Sequence, residues 1–441
     1  MASAVMISLL AFGTAHGQEA PAFTVLHSFT GGADGGLPLA PLIIDESGNL
    51  YGTTGTGGDL KASCSGVGTG CGVVFEFDPA SGETVLYDFT GQYGGGSGTA
   101  GVIRDAKGNL YGTTLSGGPL GEGKVFRLSA TGTAITIYAF KGVPDGAGPD
   151  AGLIGDAQGN LYGTTYRGGS STACSNNQGC GTIFKIDSTG KETVLYSFGG
   201  PPNDGLGPEA SLLRDAQGNL YGTTSAGGGS SPTCLGGACG VVFKLDPSGN
   251  ETVLHSFNGP DGGSPESNLI MDKEGNLYGT TELGGAFGRG AVYKVSPSGQ
   301  ETTLYSFMDS TDGGEPWGTL VRDTAGNLYG TGSNGGDLNS ANGALGAGVI
   351  FKVDPFGNET VLYAFTGYAD GEYPMGGLVA AKGGNAYYLF GTATTPASTR
   401  AQTPEDSGAV LYSDSPFQRV LSLSPDNLAN GDTESPDLAC V

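Results

Sequence analysis

The residues best placed to do chemistry in this 441-residue chain are carboxylates that recur at fixed spacing. A D-G-x-x-P motif starts at Asp34, Asp145, Asp204, Asp261, Asp312 and Asp370. Six carboxylates on equivalent loops could gather round one mouth of a ring and attract Ca²⁺ or a cationic or polyhydroxylated ligand, because hard cations select oxygen ligands. The competing role is structural, with Asp capping a turn and Pro fixing entry into the next strand. Regular repetition favours the structural role, since one ligand site rarely needs six copies. No cofactor is firmly implied, and Ca²⁺ is the one the motif admits.

Other candidates are few. Arg104, Arg214 and Arg322 stand at one equivalent position, just before a turn Asp, in alternate repeats. They are candidates to line a channel and bind an anion, with exposed surface arginines as the plainer alternative. Trp317, the only tryptophan, follows a D-G-x-x-P motif and could stack on a sugar or simply pack. His27 and His255 occupy the place held elsewhere by Tyr87, Tyr138, Tyr196, Tyr305 and Tyr363, so they read as packing substitutes. A Ser-His-Asp triad or a His-rich zinc site therefore has almost no material. Glycine-rich matches near Gly66 lack the strand-to-helix setting of a nucleotide loop. No catalytic residue is assigned, and a non-enzymatic role is favoured.

Six of the seven cysteines form close pairs: Cys64 with Cys71, Cys174 with Cys180, and Cys234 with Cys239. Each pair lies in the segment after a G-N-L-Y-G phrase, and other repeats lack both members. Paired gain and loss predicts three short-range disulfides formed in an oxidising compartment. A metal site is the rival, but these loops contain no CxxC and no nearby His. Cys440 is left over and is either free or paired between chains.

The elements that must hold these residues are written in the repeat itself. G-N-L-Y-G occurs six times, with its tyrosines at 51, 111, 162, 221, 278 and 329, a period of 51 to 60 residues. Between phrases lie short segments rich in Val, Ile, Leu, Tyr, Phe and Thr, bounded by Gly, Asp, Asn or Pro, with no helical period. In the fourth copy these are A-S-L-L-R-D, N-L-Y-G-T-T, G-V-V-F-K-L-D and E-T-V-L-H-S-F. Four strands per repeat at this period predict an all-β, seven-bladed β-propeller of four-stranded antiparallel blades. The seventh, degraded copy is G-G-N-A-Y-Y-L-F-G-T at 383–392. The opening F-T-V-L-H-S-F, Phe23 to Phe29, matches the last strand of a repeat and is expected to close the ring against the C-terminal strands. R-V-L-S-L-S, Arg419 to Ser424, is the alternative closing strand.

The phrases D-E-S-G-N-L-Y-G-T-T and V-V-F-E-F-D-P-A-S-G-E-T-V-L-Y-D-F, recurring in order, resemble the GloVer tandem repeat of exported choice-of-anchor bacterial proteins. More loosely, D-x-x-G-N-L-Y followed by V-F-K-x-D is similar to NHL and SMP-30-like propellers. The first resemblance implies architecture and export, and it carries no activity. The C-terminal G-D-T-E-S-P-D-L-A-C-V departs from it in showing no apolar anchor helix.

The formal charge is −24, from 19 Lys and Arg against 43 Asp and Glu, with no basic cluster. Such a surface repels phosphate backbones and anionic lipid, so nucleic acid is not expected as a partner. The apolar stretch Ala4 to Gly13, followed by small residues, predicts a signal peptide over 1–17, despite the missing basic n-region. The propeller is expected over 23–424 and an acidic, disordered tail over 425–441. No later segment is long and apolar enough to span a bilayer. The expectation is a secreted monomer at the cell exterior, surface or periplasm that binds extracellular protein or glycan through its loop-rich face. The alternative is a metal-dependent hydrolase or lyase using carboxylates at the channel mouth.

Overall fold

The structure, a computed structural model, describes residues 22–414 except 63, 65–69, 92–99, 175–177, 230–233, 235–238, 341–344, 369, 384–385 and 396–406. The expected signal peptide, the acidic tail, Cys440 and the Arg419 to Ser424 strand lie outside the described residues.

Every described element is a strand, and the fold is a β-propeller. Six sheets are meanders of four consecutive antiparallel strands. Blade four shows the pattern: Leu213–Arg214, Leu220–Thr224, Val241–Leu245 and Glu251–Ser256. The first strand is short because D-x-x-G-N turns the chain back at once. The third is buried along almost its whole length. The fourth carries a bulge opposite Val242/Phe243, repeated in the other five regular blades, which increases local twist.

Six regular blades stand where seven equal repeats were expected. The remaining four-stranded sheet has the order Ala22–Phe29, Ser407–Asp414, Ala386–Thr395, Leu378–Gly383. Its own strands are longer than the repeat prescribes, because the seventh copy has lost the G-N-L-Y-G turn that cuts the first strand short. Ala22–Phe29 runs antiparallel to Ser407–Asp414, with Phe23 opposite Ser413 and Phe29 opposite Gly408.

The core lies between blades. In five of the six regular blades a buried Phe at the end of the fourth strand meets the third-strand aromatic of the next blade edge to face: Phe89 on Phe126, Phe140 on Phe184, Phe198 on Phe243, Phe257 on Tyr293 and Phe307 on Phe351. Edge-to-face geometry satisfies the ring quadrupoles as well as burying area. Phe29 makes the same contact with Phe75. The Gly after the repeated Tyr makes room for these rings: a Cβ on Gly163 would lie 2.7 Å from Phe184 and 3.0 Å from Leu153. Inner segments are tied by a second repeated link, in which the first Thr of G-T-T donates to a carbonyl of the next blade. Thr53 bonds Ala100 and Thr113 bonds Ala151, each at 2.9 Å. Thr392 reaches Ala40 in the same way at 3.5 Å.

Candidate functional site at the loop-rich face

The repeated phrase is a turn with a built-in clamp. In blade three, one Asp156 oxygen accepts the Gln158 and Asn160 backbone N–H groups, and the other accepts the Asn160 amide and the Tyr162 hydroxyl. Burial alone would raise Asp156, but these donors outweigh it and hold its carboxyl below the usual range. Gly159 takes φ of 81° to close the turn. The tyrosine hydroxyl as clamp was not read from the sequence, although Asp and Tyr keep a fixed six-residue spacing.

The three arginines lie at this turn face. Arg104 sits over the Tyr51 ring of the preceding blade at 5.3 Å and 3.7 Å from Asp45. Arg214 covers Tyr162 at 5.8 Å, and Arg322 covers Tyr278 at 5.4 Å. Each joins one blade's inner strand to the previous blade's phrase by a cation–π contact.

On the opposite face the two long loops meet in five of the repeats. Gly146–Ala147 pairs with Arg167–Gly168, and Gly205–Leu206 with Ala226–Gly227. Single bridges join Gly36 to Thr56, Gly263 to Leu283 and Gly314 to Asn334. The cysteine loops are closed by three disulfides, Cys64–Cys71, Cys174–Cys180 and Cys234–Cys239, with Cα separations of 5.4, 5.3 and 5.2 Å. Gly200 of a D-G-x-x-P loop packs against the Cys174 and Cys180 sulfurs.

The six motif aspartates sit beside the outermost strands. Asp145 accepts the Tyr138 hydroxyl at 2.8 Å and the Lys141 backbone N–H at 3.1 Å. Asp204, Asp312 and Asp370 accept Tyr196, Tyr305 and Tyr363, each at 2.9 Å. His255 takes the tyrosine's place, with Nε2 at 3.0 Å from Asp261. His27 lies 3.8 Å from Asp34. A glutamate of the neighbouring outermost strand completes five of the six groups, all but that of Asp370, and this residue was missed. Burial first, then the neighbouring aspartate, raises Glu83 beside Asp34, Glu192 beside Asp145, Glu251 beside Asp204 and Glu359 beside Asp312, each to about 7. A sequence signal existed: repeat two lacks the D-G-x-x-P motif, and Ala134 there replaces the following glutamate.

A different set of carboxyls converges across blades, contributed by the residue after the motif Pro. Asp150, Glu209 and Glu266 follow Pro149, Pro208 and Pro265 in three successive repeats, and Glu282 joins them from the segment after G-T-T. Glu209 lies beside Glu266 and accepts the Ser225 hydroxyl at 3.2 Å. Burial raises both glutamates, and their mutual repulsion with Asp150 and Glu282 raises them further, Glu266 the more. Glu282 is pushed up to about 7 by burial and by Glu315. Glu315 is answered by the Arg289 guanidinium at 3.1 Å and the Asn334 amide. Tyr166, 38% exposed, borders the cluster through Gly207 and feels the charges of Glu209 and Glu266. Trp317, half-buried, holds the same post-proline position in its own repeat. Acids at this position in three successive repeats were the available signal.

A propeller whose blades repeat one phrase in this way belongs to a recognisable class. The family model of the Gloeobacter/Verrucomicrobia repeat matches residues 12–175 and 171–401, and the chain belongs to that family. No curated protein matches the sequence. Among solved structures, a gluconolactonase from Xanthomonas campestris is 15% identical over 70% of this chain and 86% of its own, with a TM-score of 0.39. A luciferin-regenerating enzyme is 13% identical over 90% and 95%, with a TM-score of 0.41. A PQQ-bound aldose sugar dehydrogenase from Streptomyces coelicolor is 13% identical over 89% and 98%, with a TM-score of 0.40. Those activities belong to the matched proteins.

Proposed function

We propose that the protein is an exported, monomeric, non-catalytic propeller that binds a polyhydroxylated ligand, a glycan, at the acidic mouth of its loop-rich face. The carrying observation is the convergence of Glu209 and Glu266, whose carboxyls burial and neighbouring acids both push up, Glu266 the further, so that the pair keeps a proton near neutrality. Such a pair offers an O–H donor and several acceptors in one small area, the pattern that vicinal sugar hydroxyls need. Tyr166 and the Trp317 position supply flat apolar faces at the same rim. Three disulfides in the rim loops fit an oxidising exterior and pre-order the binding face, which lowers the entropy lost on binding.

The ring in this reading has seven blades, with Ala22–Phe29 as the fourth strand of the last. Three contacts support it: the Ala22–Phe29 pairing with Ser407–Asp414, the Thr392 to Ala40 bond, and Phe29 on Phe75. Phe23 occupies the position of the interface glutamate and stacks on Tyr363 at 4.0 Å.

A neutral acid beside an ionised base is also the arrangement that hydrolases and lyases use. This favours, as the second reading, a carboxylate-based enzyme at the same mouth, with a cation as its electrophile. Calorimetric titration with a panel of neutral oligosaccharides tests the first reading. Binding without turnover, weakening as pH rises and Glu266 loses its proton, supports it. Release of new reducing ends or of unsaturated product assigns the second.

A further inference from the structure

His255 Nε2, an Asp261 oxygen and a Glu301 oxygen lie within 4.8 Å of one another, half-buried between the fourth strands of blades four and five. Among the described residues this is the one group of three such side chains whose ligand atoms already lie that close. From these atoms we infer a divalent transition-metal site of the Zn²⁺ class, His255–Asp261–Glu301, with a wider counterpart at His27–Asp34–Glu83, where Nε2 stands 3.8 Å from the Asp34 oxygen.

Ligand chemistry selects the class. An imidazole beside two carboxylates suits borderline cations such as Zn²⁺ or Co²⁺, whereas Ca²⁺ takes six or more oxygens. With metal–ligand bonds of about 2.0–2.2 Å, ligand atoms in a tetrahedron lie roughly 3.4 Å apart. His255 and Asp261 already stand at 3.0 Å, so closure needs only a small movement of Glu301. Asp261 is oriented by the Asn258 backbone N–H and amide, both at 2.8 Å, and Glu301 by the Thr303 hydroxyl at 3.0 Å. Such outer contacts fix ligand direction before metal arrives. Water completes the fourth position.

The equivalent interface adds an independent sign. His27 Nε2 and Glu83 Oε1 are both buried and both lack a hydrogen-bond partner; Glu192, Glu251 and Glu359 share the unpartnered Oε1 at the tyrosine interfaces, so the nitrogen is the atom particular to this one. Unpaired buried donors and acceptors are costly and call for an explanation. A cation accepting both lone pairs supplies one. Where the histidine is tyrosine, as at Tyr138, Tyr196 and Tyr305, the hydroxyl bonds the aspartate instead. Those interfaces keep two carboxyls without the nitrogen ligand. The bound cation would fasten one blade to the next at the rim.

The test uses the untagged full chain and replaces each histidine with the residue its repeats already use there, which preserves the fold. Equilibrium dialysis with Zn²⁺, and the visible d–d absorption of bound Co²⁺, should give two ions per wild-type chain. His255→Tyr and His27→Tyr should each remove one ion, and the double variant should remove both together with the Zn²⁺-dependent rise in Tm. No binding by the wild-type chain at tens of micromolar metal overturns the assignment. A single variant that leaves stoichiometry unchanged overturns it for that site.

Discussion

Glu209 and Glu266 face one another across the boundary between two neighbouring blades, so that two acids of an already acidic protein are pressed together. Like charges in a partly desolvated site cannot both ionise near neutrality, and one proton stays between them.

This arrangement gives an unusual pH dependence. Folded-state affinities of Glu83, Glu192, Glu251, Glu282 and Glu359 are raised to about 7, and Glu266 is raised further. Between the ordinary carboxylate range and 7 the folded chain therefore binds more protons than the unfolded chain. Stability must fall as pH rises through this window. The turn aspartates, held low, withdraw their support only in stronger acid. Thermal melts should give a Tm at pH 5 several degrees above that at pH 8. In carboxyl ¹³C NMR, Glu266→Gln should remove the resonance that titrates highest.

Removing the turn clamp should destabilise the blade that holds it. Asp156→Ala leaves two backbone N–H groups, an amide and a buried Tyr162 hydroxyl without their acceptor. Bonds to a charged group and the unmet donors together predict a loss of about 2–4 kcal/mol. Denaturant unfolding measures it. Asp246→Ala, at an exposed outer turn with its own Asn250, should cost less.

Gly163→Ala tests the blade packing. Its Cβ would enter the space of Phe184 and Leu153, which are fully packed, so overpacking of about 1–3 kcal/mol is expected. Gly82 has open space around a would-be Cβ but φ of 90°. Gly82→Ala should therefore cost about 1 kcal/mol from backbone strain alone. The contrast in unfolding midpoints separates sterics from conformation.

Reducing the rim should loosen it locally. The Cys174–Cys180 link closes a short loop, and its removal in a Cys174→Ser/Cys180→Ser variant should cost roughly 2 kcal/mol. Hydrogen exchange should rise first in the neighbouring Gly200 loop that packs on the sulfurs.

Much of the fold was legible because its period is long and its phrases are short. The strand boundaries at Leu220 and Val241 follow from Gly, Asn and Asp on either side, and the cysteine pairs follow from their joint presence in one loop. The seventh copy was legible only as a position, since its longer strands replace the turn that defines the others. The motif aspartates were found but not their glutamate partners. Glu83 is nearly fifty residues from Asp34 and meets it only because adjacent fourth strands lie side by side. The mouth pair was harder still. Glu209 and Glu266 look like ordinary surface acids until successive inner strands turn the residue after each Pro toward one point. Inter-blade contact of this kind has no local period to reveal it.

The most direct test of glycan recognition at the mouth is calorimetric titration of wild type and Glu209→Ala/Glu266→Ala with the same neutral oligosaccharide panel, beside Trp317→Ala. The proposal predicts binding by wild type that weakens at least tenfold in the double variant and measurably in Trp317→Ala, with Tm retained. Absence of binding by wild type, or unchanged affinity in a folded double variant, would contradict it.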